Sequence, residues 1–312
     1  MNCRDLLILG SCVLFIITKK GYDSNVTTPQ ENYPELAKAI GLAGIYFKRE
    51  DMHALGSHKG RSIPVMIDNY LKNGDLHFAI SSSGNAALAA ALYVREVNSS
   101  PISLDIFVGN NIKPDKLNKL RDLSDDNIRV LIKERPLQAL TQAASEGARS
   151  LRQSTDDVAL IGYESLAKEL VKIKDIGAVF IGTSSGTTAQ ALAQYFIAKK
   201  LPIQVHIVQT SSCHHMADAF ETFDIPDEKS TADAIVDQTA HRKSDLIPLI
   251  KETGGRGWLA TNENIIAAQE MTRKYAGLDI STNSALSVVG AIQAAEAGYD
   301  MRGVAVCLIC GE

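Results

Sequence analysis

The sequence predicts an α/β fold in which parallel strands lie between helices on both faces, divided into two domains around a cleft. Short β-rich runs alternate with longer helical patterns from residue 42 onward, and several helices open on a Gly/Ser cluster that ends a strand. The chain's 312 residues, 45% hydrophobic and 22% charged, suffice for one large core or two modest ones.

In chain order the expected strands are 43–47, 77–81, 103–108, 128–132, 177–181, 203–209 and 303–309. The expected helices are 60–71, 85–96, 114–123, 137–152, 163–171, 188–199, 262–275 and 284–297. Connections of this length carry right-handed crossovers between parallel strands. Ligands of such sheets bind at the carboxyl ends of strands, where the polar loops of this sequence fall. Polar segments bracket the middle of the chain, which predicts a larger domain from 1–71 and 158–312 and a smaller, mobile α/β domain from 72–157. The apolar run 6–18 falls short of the about 20 residues that span a bilayer as a helix, and it reads as a first packed element.

Lys and Arg number 32 against 36 Asp and Glu, a net charge of -4 without a basic stripe, which argues against a nucleic-acid partner. No membrane partner is expected either, and the five scattered cysteines read as reduced thiols of a cytoplasmic protein. Cys307 and Cys310 have metal-ligand spacing, but they lie in an apolar strand with no second pair nearby, so no metal is expected.

Three loops carry candidate chemistry. From Gly177 a strand leads into Gly182-Thr183-Ser184-Ser185-Gly186-Thr187 and then a helix, so loop amides and a helix N-terminus can converge on an anion of phosphate size. The loop lacks the Gly-Lys-Ser/Thr of a nucleotide-hydrolysing loop and the glycine spacing of a dinucleotide fold; a plain capping turn is the alternative. Lys59, in Gly56-Ser-His-Lys-Gly-Arg-Ser62, stands at a helix start, where crowding and the helix dipole disfavour an ammonium and suit an amine for a Schiff base. An isolated lysine is more often a solvated surface group. Ser82-Ser83-Gly84-Asn85 opens another helix and forms a second anion-sized nest, or simply an N-cap.

Together these segments resemble the fold-type-II pyridoxal-phosphate enzymes, the tryptophan-synthase-beta-like superfamily that also holds threonine synthase, cysteine synthase and serine/threonine dehydratase. Residues 46–61 resemble the stretch leading into the family's Schiff-base lysine, 82–87 its asparagine loop and 182–187 its cofactor-phosphate loop, with the likeness running from about residue 26 to the end. The resemblance implies a three-layer parallel-sheet fold of two domains with pyridoxal 5′-phosphate in the cleft. It implies that Lys59 holds the cofactor and shuttles protons, and that Asn85 bonds the cofactor's 3′-oxygen. Ser82, Ser83 and Gly84 would meet the substrate carboxylate, Gly182, Thr183, Ser184, Ser185, Gly186 and Thr187 would clasp the phosphate, and Cys310 would face the ring nitrogen.

The implied activity is elimination or replacement on a small amino acid, threonine-synthase-like because Ser83-Gly-Asn-Ala-Ala-Leu-Ala-Ala-Ala with Tyr93 resembles that branch. Cysteine synthase or dehydratase activity is the alternative, and a homodimer is implied. A phosphorylated substrate would need a further basic pocket, for which Arg61, Lys113 and Lys116 are candidates. Two residues depart from the family pattern: Gly60 replaces a common Asp, and His58 a frequent Phe. The chain also ends two residues after Cys310, where relatives continue, so a catalytically inactive binding or regulatory homologue is the remaining alternative.

Overall fold

The computed structural model describes residues 26–97 and 102–311. The run 6–18 read as a first packed element lies outside them.

Two parallel sheets organise the chain. The larger is built from β1 (Gln30–Asn32), β2 (Ile45–Arg49), β7 (Ile176–Gly182), β8 (Gln204–Thr210), β9 (Gly257–Ala260) and β10 (Val304–Ile309). Its order is β1-β2-β10-β7-β8-β9, with only β1 antiparallel to its neighbour. The smaller consists of β3 (His77–Ser81), β4 (Ser103–Gly109), β5 (Ile128–Lys133) and β6 (Arg149–Ser150) in the order β5-β4-β3-β6, all parallel. This agrees with the predicted α/β class.

Alternation along the central strands explains why both faces of the large sheet are covered. Ala178 and Phe180 of β7 and Ala305, Cys307 and Ile309 of β10 point into one core with Leu286 and Val289 of α11 (Thr282–Glu296). Val179, Ile181, Val306 and Leu308 point into a second core with Leu192 and Phe196 of α8 (Thr187–Ala198) and Leu246 and Ile250 of α9 (Lys243–Thr253). The two inward-pointing sets leave no polar face, the burial expected of parallel sheets. On the small sheet, α2 (Lys59–Lys72) and α3 (Asn85–Val97) contribute Ile63, Met66, Ala87 and Ala90 to one core, while α5 (Pro136–Ser145) places Leu140 on the other face.

The strands begin and end within about two residues of the predicted ones, but several elements differ. The helix predicted over 137–152 stops at Ser145, because Gly147 turns at φ +102° and β6 takes residues 149–150. The helix predicted over 163–171 is present as α7 (Glu164–Leu170), and a further short helix, α6 (Val158–Gly162), precedes it unanticipated. Strands β1, β6 and β9 and helices α1 (Pro34–Ile40) and α9 were not anticipated. Three of these are pieces of two to four residues, too short for a period to register.

A buried charge cluster ties the start of α2 to the large sheet. The Arg61 guanidinium donates from Nε and NH2 to Glu50 at 2.8 Å each and from NH1 to Glu169 of α7 at 2.5 Å. Lys48 Nζ bonds Glu169 and the Thr28 carbonyl, and the Thr28 hydroxyl donates to Glu50 at 2.6 Å. Burial pulls the Glu169 carboxyl upward, but the hydrogen bonds from Arg61 and Lys48 outweigh it and hold the group below its ordinary range. Two cations and two anions thus cancel inside the protein, each bonded by its neighbours.

The core also holds a neutral histidine. His206 of β8 accepts from Trp258 Nε1 at Nδ1 (3.1 Å), donates from Nε2 to Gln204 and stacks on Phe180 at 4.5 Å. Burial depresses its pKa from 6.5 to about 3. The unfolded chain therefore binds the extra proton between those values, and stability is lost as pH falls through 6.5. By linkage His206 alone removes about 2 kcal/mol between pH 7 and pH 5. Urea unfolding at the two pH values measures this, and a His206→Gln variant should show a pH dependence smaller by that amount.

Candidate active site

The loops that follow β2, β3, β7 and β10 meet at the carboxyl ends of their strands, between the two sheets. They enclose a cavity of about 360 Å³. The residues that the sequence assigned to cofactor and substrate carboxylate all line it: Lys59; Ser82, Ser83, Gly84 and Asn85; Gly182 through Thr187; and Cys310. His58 joins them. A second cavity of about 630 Å³ shares Ser83, Gly84, Asn85 and Lys116 with it and opens towards Asp279 and Gly311.

Lys59 is the first residue of α2 and its backbone N–H donates to Ser57 Oγ at 3.3 Å, so the turn before the helix fixes where its side chain starts. Among the described residues no protein group hydrogen-bonds the Lys59 amine or the Asn85 side-chain amide. The Gly182–Thr187 loop leaves more donors. Thr183 N–H is taken by the Val208 carbonyl, but among the described residues none accepts from the N–H of Ser184, Ser185 or Gly186. Gly186 reaches this geometry through φ +80°, and α8 begins behind it without a side-chain cap. Three orphan amides at a helix N-terminus form an anion site. The hydroxyls are partly engaged: Ser185 and Thr187 bond each other at 2.9 Å, Thr187 also donates to the Gln153 carbonyl, and Ser184 accepts from Val236 and Asp237 N–H.

His58 links the lysine to Cys310. Its Nδ1 lies 3.2 Å from the Cys310 carbonyl, which only accepts, so Nδ1 carries a proton. Burial and the neighbouring Lys59 depress the His58 pKa to about 3. The Cys310 thiol is pushed up to about 12 by burial, so it is an uncharged partner at neutral pH. The end of β10 is fixed in turn by Ser281 and Ser284, whose hydroxyls donate to the Gly311 carbonyl at 2.6 and 3.1 Å.

These observations fit a group with a phosphate at one end, an aldehyde that an amine can reach and a ring nitrogen. The cavity has orphan amides for the first, an amine without a protein partner for the second and a neutral thiol for the third.

Of the three candidate cations for a second anion, Arg61 is spent in the buried cluster. Lys116 does line the cavity, and Lys113 lies beside it, but both are paired with Asp233. Tyr93 is buried and donates to Asp68 of α2 at 2.6 Å, so it belongs to helix packing. Asp233, Asn283 and the strap 230–238 over the cavity were missed in the sequence, where an irregular segment gives no periodic signal.

A family model described as "Pyridoxal-phosphate dependent enzyme" matches residues 23–311. The chain is 24% identical over 310 residues to the threonine synthase of Methanosarcina acetivorans, covering 91% of this chain and 74% of that protein. Among solved structures it is similar to a pyridoxal 5′-phosphate-dependent aspartate racemase, with TM-score 0.78, 19% identity and coverage of 92% and 90% of the two chains. It is also similar to threonine deaminase isoform 2 from Solanum lycopersicum, with TM-score 0.74, 22% identity and coverage of 92% and 84%.

Gly60, the residue after Lys59, has a steric reason. A Cβ there would lie 2.3 Å from His53 Nδ1 and 2.8 Å from Leu55 Cβ. His53 itself is buried and accepts from the Leu55 N–H at 3.1 Å. Alanine at a helical glycine ordinarily stabilises by up to about 1 kcal/mol. Here Gly60→Ala should destabilise by about 1–3 kcal/mol through overpacking. Adding His53→Ala should recover part of the loss, with a coupling of at least about 0.5 kcal/mol in a denaturation double-mutant cycle.

Proposed function

The chain belongs to the pyridoxal-phosphate dependent enzymes, and from that premise we propose that it carries out elimination or replacement on a small amino acid in the cleft around Lys59. The observation that carries this reading is the shared cavity: an amine without a protein partner faces the same space as three orphan amides and a neutral thiol. Lys59, Asn85, Gly182–Thr187 and Cys310 would hold the cofactor. When bound, pyridoxal phosphate supplies an aldehyde and an electron-withdrawing ring that takes up the charge left when a proton leaves Cα.

The chain's own residues would do the rest. Lys59, once exchanged by the substrate's amine, is the base placed to remove the Cα proton and to return it. The Ser82–Asn85 nest offers backbone N–H groups and hydroxyls to the substrate carboxylate, which fixes the Cα–H bond relative to the lysine. Cys310, uncharged at neutral pH, offers a hydrogen-bonding partner without the negative charge with which a carboxylate would retain a proton on the ring. That favours loss of a leaving group over chemistry that depends on the fullest charge withdrawal. Residues 233–236 of the strap and 107–109 at the end of β4 form part of the cavity wall.

Within this class the threonine-synthase-like reading is supported by the likeness of residues 83–91 to that branch and by relatives aligned over most of the chain. A serine- or threonine-eliminating reading is favoured by the rim, where the cation lining the cavity besides Lys59 is already paired with an acid.

Reconstitution tests the shared part. Protein incubated with pyridoxal phosphate and reduced with borohydride should gain one covalent cofactor on the peptide containing Lys59, seen by mass spectrometry and by a near-ultraviolet absorbance change. Lys59→Ala should abolish the adduct and lower turnover by at least about a thousandfold, since both attachment and proton transfer are lost. A folded wild-type protein that takes up no cofactor would contradict the reading.

A further inference from the structure

An ion pair between the two sheet units contributes to the wall of the cavity. Lys113 and Lys116 belong to the start of α4 (Pro114–Arg121), which follows β4 of the small sheet. Asp233 comes from the strap that follows β8 of the large sheet. Lys113 Nζ lies 2.7 Å from Asp233 Oδ2, and Lys116 Nζ lies 3.1 and 3.0 Å from the two carboxylate oxygens. The Lys116 side chain is 22% exposed against 66% for Lys113, so Lys116 is the inner partner, and it lines the cavity with Asp233.

The carboxylate is aimed by its surroundings. Asn283, in the first turn of α11, donates from Nδ2 to Asp233 Oδ1 at 3.2 Å while its Oδ1 accepts from Ala234 N–H at 3.0 Å. Ser184 holds the next part of the strap by accepting from Val236 and Asp237 N–H. Phe107, Val108, Pro136 and Ile235 supply apolar wall to the same cavity.

We propose that Asp233 is a specificity-determining residue: by occupying Lys113 and Lys116 it restricts the site to amino acids whose side chain is uncharged, such as a hydroxyl or its neutral ester. This rests on the amino-acid reading above and names its substrate class. A neutral side chain fits against the apolar wall with the ion pair intact. An anionic side chain must compete for a lysine with the Asp233 carboxylate, whose pKa Lys113, Lys116 and Asn283 hold at about 2 against the upward pull of burial. Removing the Asp233 charge leaves Lys113 and Lys116 without that carboxylate, and an anionic side chain would then satisfy them.

Calorimetric titration of cofactor-treated protein with L-serine and with O-phospho-L-serine tests this. Wild type is expected to bind L-serine more tightly, and Asp233→Asn to shift the affinity ratio at least tenfold towards O-phospho-L-serine. The double variant Lys113→Gln/Lys116→Gln keeps the carboxylate without its partners and should weaken O-phospho-L-serine binding further. The proposal is overturned if Asp233→Asn leaves the ratio unchanged, if wild type already prefers the phosphorylated ligand, or if neither ligand binds wild type or variants. Should Asp233→Asn fail to fold, the lysine double variant decides in the same way, an unchanged ratio overturning the proposal. The titrations read ligand heat and not cofactor attachment, so failure here is distinguishable from the absence of a borohydride-fixed adduct on Lys59.

Discussion

The arrangement depends on the buried cluster of Arg61, Glu50, Glu169 and Lys48. Lys59 lies two residues before Arg61 in the same helical turn, so whatever fixes the guanidinium fixes the start of α2. Three separate pieces of chain hold it: the turn after β2 through Glu50, α7 through Glu169, and the segment before β1 through Thr28. Opposite charges buried together yield little net stabilisation, because desolvation offsets most of their attraction. Their effect is geometric. A charge that cannot be left unpaired permits few alternative positions of the helix start, and the Lys59 side chain departs from a point set by both the large sheet and α7.

The other half of the site depends on groups that stay unbonded. Orphan amides at Ser184, Ser185 and Gly186 cost free energy unless water or a ligand meets them. The loop cannot easily relax to satisfy them. Thr183 is tied to β8, Ser184 is tied to the strap, and Gly186 is wedged where a side chain would meet Leu246 at 2.6 Å. The same strap reaches the small sheet through Asp233, so the anion loop and the rim lysines share one mechanical connection over the cavity.

Strands buried on both faces were legible because a parallel core strand is a continuous apolar run bounded by turn residues, as in β7 and β10. The nests at 82–85 and 182–187 were legible for a related reason, since Gly and Ser clusters between a strand and a helix have few structural uses. Fragments such as β6 and β9 are specified by their neighbours' edges and not by their own pattern. The predicted helix over 137–152 ran too far because the Gly147 turn is a backbone event that helix-forming neighbours obscure. Asp233 was invisible for a third reason: its meaning lies in Lys113 and Lys116, more than a hundred residues away in sequence, and no local spacing encodes such a pair.

The two departures near the lysine can be understood as replacements within the packing. Gly60 leaves room for the His53 ring, and that ring's acceptor nitrogen holds the Leu55 N–H, so a side chain at 60 would break the turn that delivers Lys59. His58 contributes a hydrogen bond to the carbonyl of Cys310, joining the lysine turn to the last strand. Neither change fills the cavity or caps the orphan amides. A protein that had ceased to bind a ligand here would gain stability from any substitution that satisfied those donors or buried the Lys59 stem. Their retention together, in a chain otherwise careful to pair its buried charges, is physically coherent when an anion and an aldehyde occupy the cleft.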